Sequence, residues 1–99
     1  MFIVSLTYKV PLEEVDQHLK AHVTYLEAQY AAGNFIASGR KVPRTGGVIL
    51  SNLKDRDALQ STLELDPFHQ LQLADYDIIE FVPSMVGAGF ENLKENIAC

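Results

Sequence analysis

The sequence predicts an α+β fold in which strand, helix, strand, strand, helix and strand follow one another (βαββαβ), and three observations carry that prediction. Near the N-terminus apolar side chains alternate, with Phe2, Val4 and Leu6 on one side of an extended chain and Ile3, Ser5 and Thr7 on the other. The spacing then changes to threes and fours between Leu12 and Tyr30, the period of a helix laid on a core. Short β-branched runs return later, two of them joined by a Pro/Gly turn and the last beyond a second helical segment. With 99 residues, 47% of them hydrophobic, and no linker-like or low-complexity run, the chain is expected to form one domain around one core. That core should occupy residues 1–83, with a C-terminal extension over 84–99.

The β-branched and aromatic residues 2–8 make the first strand, which Lys9-Val10-Pro11 ends. Leu12, Val15, Leu19, Val23, Leu26 and Tyr30 form the core-facing stripe of a first helix, closed by Gly33-Asn34 as a C′ glycine closes one. Residues 35–41 and 47–51 should pair as a hairpin across Pro43-Arg44-Thr45-Gly46. Asp55 is placed to cap a second helix running to about Glu64, with Ala58, Leu59, Thr62 and Leu63 on one side. Asp66-Pro67 repeats the start signal, since aspartate accepts from free amides and proline suits the first helical position; a short helical turn through Leu71 follows. Residues 76–82 make the last strand. Its Ile78, Ile79, Phe81 and Val82 are so nearly continuous that burial on both faces is expected. One more helical turn is expected near residues 90–96.

In a βαββαβ chain both helices cover the same face of a four-stranded antiparallel sheet, the ferredoxin-like arrangement. A doubly apolar last strand then needs cover on the other face, and a chain this short has no third layer to supply it. A homodimer built sheet to sheet is therefore expected. Eight basic against thirteen acidic residues give a net charge of −5, which repels a phosphate backbone, so nucleic acid is not an expected partner. The uncharged stretches fall far short of the roughly 18 apolar residues that span a bilayer. Met1-Phe2-Ile3-Val4 enters a strand pattern without a basic leader, and the one cysteine, Cys99, cannot form an internal bridge. A cytoplasmic protein without membrane contact is the expectation, with Cys99 on a frayed end.

Several of these residues form a pattern: Glu14, His18, His22 and Leu26 at intervals of four, Ala37-Ser38-Gly39 at a strand end, Gly46-Gly47-Val48 opening the next, and Asp66-Pro67-Phe68 followed by Tyr76-Asp77-Ile78. In this register, from Met1 to Pro83, the chain resembles the YciI-like (YCII-related) family. The resemblance implies a dimeric α+β barrel with a histidine and an aspartate in its pocket, here His22 and Asp66. It also implies small cyclic or aromatic oxygenated ligands, because a dehydrochlorinase of chlorinated hydroxyhydroquinones is similar to the family. Where many members have Gly-Pro after the second strand this chain has Gly39-Arg40, which alters the rim of the pocket.

His22 falls in the middle of the stripe made by Val15, Leu19 and Leu26, an odd place for imidazole. It is either a core histidine bonded to a backbone carbonyl or a proton acceptor lining a cavity. Asp66 is by local sequence an N-cap, and its spare oxygen could also orient an imidazole N–H. Arg40 beside Gly39 could receive a carboxylate or enolate, or belong with Lys41 and Arg44 to a solvated basic patch. Ser38 is a hydrogen-bond donor for the same ligand, and Tyr8 offers either a phenol or aromatic packing. His18 and His22 have the i, i+4 spacing of a zinc helix, but Leu19 stands where that motif has its glutamate and no third ligand has recognisable spacing. Neither metal nor organic cofactor is expected, and His69 is expected to face solvent.

Two functions from different classes fit. One is a cofactor-independent lyase or isomerase in which His22 and Asp66 do acid–base chemistry, Tyr8, Ser38, Gly39 and Arg40 bind the substrate, and donors hold a developing oxyanion. The other is a non-catalytic dimeric ligand-binding or accessory module with the same pocket.

Overall fold

Where the apolar period changes in the sequence, the chain changes element. The computed structural model describes residues 1–95. It has strand β1 (Phe2–Tyr8), helices α1 (Leu12–Gln17) and α2 (Leu19–Ala31), strands β2 (Phe35–Arg40) and β3 (Gly46–Ser51), helices α3 (Arg56–Leu63) and α4 (Pro67–Gln70), and strand β4 (Ala74–Glu80). A 3₁₀ turn at Glu91–Leu93 follows. It lies within the helical turn expected near residues 90–96; the end of that turn and Cys99 fall outside the described residues. The strands lie in the order β2-β3-β1-β4, every neighbouring pair antiparallel. With the helices on one face this is the ferredoxin-like α+β arrangement.

The core sits between sheet and helices. Phe2, Val4 and Leu6 of β1 are buried with Ile49 of β3, Val15 of α1, Leu59 and Leu63 of α3 and Phe68 of α4. Gly46 permits the close approach of β3 to β1, because a Cβ there would fall on the carbonyl oxygen of Leu6. No helix among the described residues is long and apolar enough to cross a membrane.

Three departures from the sequence expectation shape the site. The first helix is broken at His18, whose φ of −112° and ψ of 5° leave its N–H bonded to Val15 O, a tighter turn than the helix on either side. The halves consequently bury different faces, Val15 in α1 but Tyr25 and Gln29 in α2. Leu19 and Val23, which an unbroken stripe sends to the core, are 38% and 42% exposed and are free to line a cavity.

In β2, an irregularity between Phe35 and Ala37 shifts the register against β3, so that Phe35 pairs with Ser51 and Ser38 with Ile49. Phe35, Ser38 and Arg40 are thereby all on the helix-covered face, which simple alternation would not allow. β4, the third departure, begins two residues early. Gln72 takes a positive φ of 55° just after α4, Leu73 N–H bonds back to Phe68 O, and extended chain resumes at Ala74. Within one chain β4 is covered on one face only. Ala37, Leu50, Ile3 and Ile79 form a cross-strand row on the other, with Ile79 57% exposed.

Candidate active site

The site starts from a helix cap. Asp66 precedes Pro67 at the start of α4 and its Oδ1 accepts from the Phe68 N–H at 3.0 Å. The same oxygen lies 2.8 Å from Nδ1 of His22, and Oδ2 accepts from the Tyr76 hydroxyl at 2.7 Å. Asp66 is fully buried. The Phe68 N–H and the Tyr76 hydroxyl both donate to it, one to each oxygen, the pattern an ionised carboxylate satisfies. One side chain thus caps α4 and orients an imidazole, joining α2, α4 and β4.

His22 reaches this carboxylate from α2 with only 12% of its side chain exposed. Its ring lies flat on Phe68, centroids 3.9 Å apart and planes within 2°. Since Asp66 can only accept, the network assigns the Nδ1–H tautomer to neutral His22 and leaves the lone pair on Nε2. Among the described residues no protein group bonds Nε2, and no buried side-chain nitrogen is left without a partner. Nε2 therefore opens onto the adjacent cavity, whose wall includes His22. The partner of this imidazole is a carboxylate, not a backbone carbonyl.

Two phenols surround the carboxylate. Burial first, then the Asp66 charge and the hydrogen bond to it, push the Tyr76 phenol well above the ordinary tyrosine range. Burial and the same charge raise Tyr25, whose hydroxyl donates to Thr62 O at 2.7 Å. Both keep their protons at neutral pH, so Tyr76 stays a donor to Asp66.

The cavity has a volume of about 350 Å³. Leu6, Leu19, Val23, Leu26, Ile49 and Phe68 supply apolar wall, and Tyr8, Ser38, Arg40 and Arg44 join His22 as its polar groups. The sheet register fixes its floor. Arg40, Gly47, Leu6 and Tyr76 form one row from β2 to β4 on the helix-covered face. Three strand spacings, about 14 Å, separate the two ends of that row. Gly47 keeps the middle low, since a Cβ there would stand on the cavity side, 3.1 Å from Gly39 O. The His22–Asp66–Tyr76 network lies toward β4, and Arg40 and Ser38 toward β2. Ser38 Oγ is 2.5 Å from the Tyr30 hydroxyl, and Tyr8 stands edge-on to Phe68 with centroids 6.1 Å apart.

Of the residues singled out in the sequence, His22, Tyr8, Ser38, Gly39 and Arg40 all border the cavity, while Asp66 lies behind its wall. A Cβ on Gly39 would meet open space, so its backbone is accessible from that side. His18 and His69 do not line the cavity; the His69 ring instead packs 5.1 Å from that of Tyr76. No three His, Cys, Asp or Glu side chains among the described residues are grouped to hold a metal. Two residues named in the sequence, Tyr76 in the family pattern and Arg44 in the basic patch, were given no role in the site. Tyr76 shares the covered face of β4 with Ile78, and alternation along that strand is a signal for its side. Arg44 lies on a turn, where no periodicity exists to find it.

The model of the YCII-related domain matches residues 1–82. No curated protein matches the sequence. Among solved structures, the chain is similar to 5-chloro-2-hydroxyhydroquinone dehydrochlorinase from Burkholderia phenoliruptrix, in complex with 2,5-dihydroxybenzoquinone. The TM-score is 0.69 at 20% identity, over 84% of this chain and 95% of that one. At that identity the likeness is one of fold. The match over residues 1–82, nearly all of the sheet and helices just described, makes this chain a member of the YCII-related family.

Proposed function

We propose that the cavity is an acid–base site for a small oxygenated ring, with His22 as the group that takes and returns the proton. The observation that carries this reading is the 2.8 Å contact of His22 Nδ1 with Asp66, which leaves Nε2 as a base facing the cavity. Nε2 accepts a proton from a ring hydroxyl or an acidic C–H, and Asp66 stabilises the imidazolium that results. The released electron pair moves into the ring. It recovers the proton from His22 at a ring carbon, completing an isomerisation; where that carbon carries X, loss of a second hydroxyl proton then expels X as its anion, completing an elimination of HX. Ser38 and Arg40 face the ring oxygen on which charge develops, with Tyr8 and the Gly39 backbone along the rim. Base, orienting carboxylate and oxyanion donors are all side chains, so the reaction requires no metal or organic cofactor.

The dehydrochlorinase similar in fold supports this substrate class. Chloride release from 5-chloro-2-hydroxyhydroquinone and deuterium uptake by muconolactone, followed by NMR, test elimination and isomerisation in turn. We expect turnover in one assay and a loss of about 10²-fold or more in His22→Gln. Tight binding of such rings with no turnover in either assay would instead favour a non-catalytic ligand-binding module.

The same reading includes a homodimer. The uncovered row of Ala37, Leu50, Ile3 and Ile79 would be buried by a second sheet. Sedimentation should return twice the chain mass, falling to a monomer in Ile79→Lys. A wild-type monomer at micromolar concentration would contradict it.

A further inference from the structure

We propose that Arg44 is a specificity-determining residue which selects ligands carrying an oxygen anion on the ring, a carboxylate or an ionised enol or phenol. The inference deepens the acid–base reading of the same cavity, and it rests on how the cations there are partnered. Arg40 and Arg44 both border a cavity whose walls are otherwise largely apolar. Among the described residues Arg40 has no carboxylate partner, whereas Arg44 donates through one nitrogen, Nη2, to Asp16 Oδ1 at 2.5 Å. Among the described residues no carboxylate lines the cavity itself. Two guanidinium groups and one carboxylate leave one positive charge uncompensated at the rim of a largely apolar cavity, which favours a negative charge in the ligand.

Arginine carries five N–H donors in a planar fork, and the Asp16 contact uses one nitrogen. The remaining donors are available to an oxygen anion while Asp16 holds the group at the rim. The guanidinium carbon also lies 6.0 Å from the centre of the Tyr8 ring, and Tyr8 in turn packs edge-on against Phe68, the residue under His22. Arg44, Tyr8, Phe68 and His22 are thus one continuous series of contacts from the rim to the base. A ring anchored by its anion at Arg44 lies along that series with its far side toward Nε2. Asp16 is then a positioning residue, which keeps the long arginine side chain at the rim before the ligand arrives.

The test measures binding by calorimetry of two anions, 2,5-dihydroxybenzoquinone and 2,5-dihydroxybenzoate, against the neutral 2,5-dimethoxybenzoquinone. Either anion should bind wild-type protein at least about tenfold tighter than the neutral ring; which one does separates enolate from carboxylate. Arg44→Gln should abolish that preference, with circular dichroism unchanged. His22→Gln distinguishes the two readings, because it should remove proton transfer and keep the anion preference. A preference that survives there, with proton transfer unaffected, would sink the role of His22 and leave that of Arg44. Equal binding of anion and neutral ring, no binding of either anion at millimolar concentration, or a preference untouched by Arg44→Gln would overturn the role of Arg44.

Discussion

Two pairs of polar side chains serve the cavity. His22 and Asp66 meet among buried groups, with the carboxylate fully enclosed and also bonded to a backbone N–H and a phenol. Arg44 and Asp16 meet at the rim, with 27% and 51% of their side chains exposed and, among the described residues, no further carboxylate partner for the guanidinium. A buried pair has lost its water, so removing one partner strands the other; an exposed pair is screened, and either partner can turn to solvent or to a ligand. The first is built to hold one geometry, and the second leaves guanidinium donors free for a ligand.

The largest effect should come from stranding the buried partners. Asp66→Ala removes the acceptor of the Phe68 amide, the Tyr76 hydroxyl and the His22 ring, and should cost about 3 kcal/mol or more in urea unfolding. A loss below about 1 kcal/mol would mean that water replaces the carboxylate and that the site is not dry.

Tyr76→Phe isolates one bond of the same network and should cost about 1–2 kcal/mol near neutral pH. Its pH dependence has a definite sign. Tyr76 and Tyr25 hold their protons more tightly folded than unfolded. Their contribution is complete below the unfolded tyrosine value of about 10 and is lost as pH rises beyond it. The wild-type urea midpoint should therefore fall more steeply above about pH 10 than that of Tyr76→Phe. Parallel curves would show that the Tyr76 proton is not held by the fold.

The smallest effect should be at the rim. Asp16→Asn should leave the urea midpoint at its wild-type value, since the pair it breaks is solvated. A marked drop would make Arg44–Asp16 a structural clasp between α1 and the β2–β3 turn, and would break the contrast with the buried pair.

The same contrast explains what could be read in the sequence. β1 spans residues 2–8 as alternation indicates, and Asp55 and Asp66 cap α3 and α4 because capping depends only on neighbours in the chain. His22 and Asp66 were legible as types, a histidine inside an apolar stripe and an aspartate before proline, but their contact joins residues 44 apart and is a product of tertiary packing. The break at His18 was hidden, because the apolar spacing from Leu12 to Tyr30 runs through it without interruption. The register shift in β2 was hidden too, and it decides that Ser38 and Arg40 face the cavity. Arg44 sits on a turn, where side-chain direction follows no period.

The central claim is that Asp66 fixes the His22 tautomer and so makes Nε2 the base. Nitrogen-15 NMR of the histidine rings, at a pH where the imidazole is neutral, reads this directly. The account predicts a proton on Nδ1 of His22 and a bare Nε2 in the wild type, with the preference lost in Asp66→Asn, whose amide can donate as well as accept. A His22 with its proton on Nε2, unchanged by Asp66→Asn, would contradict it.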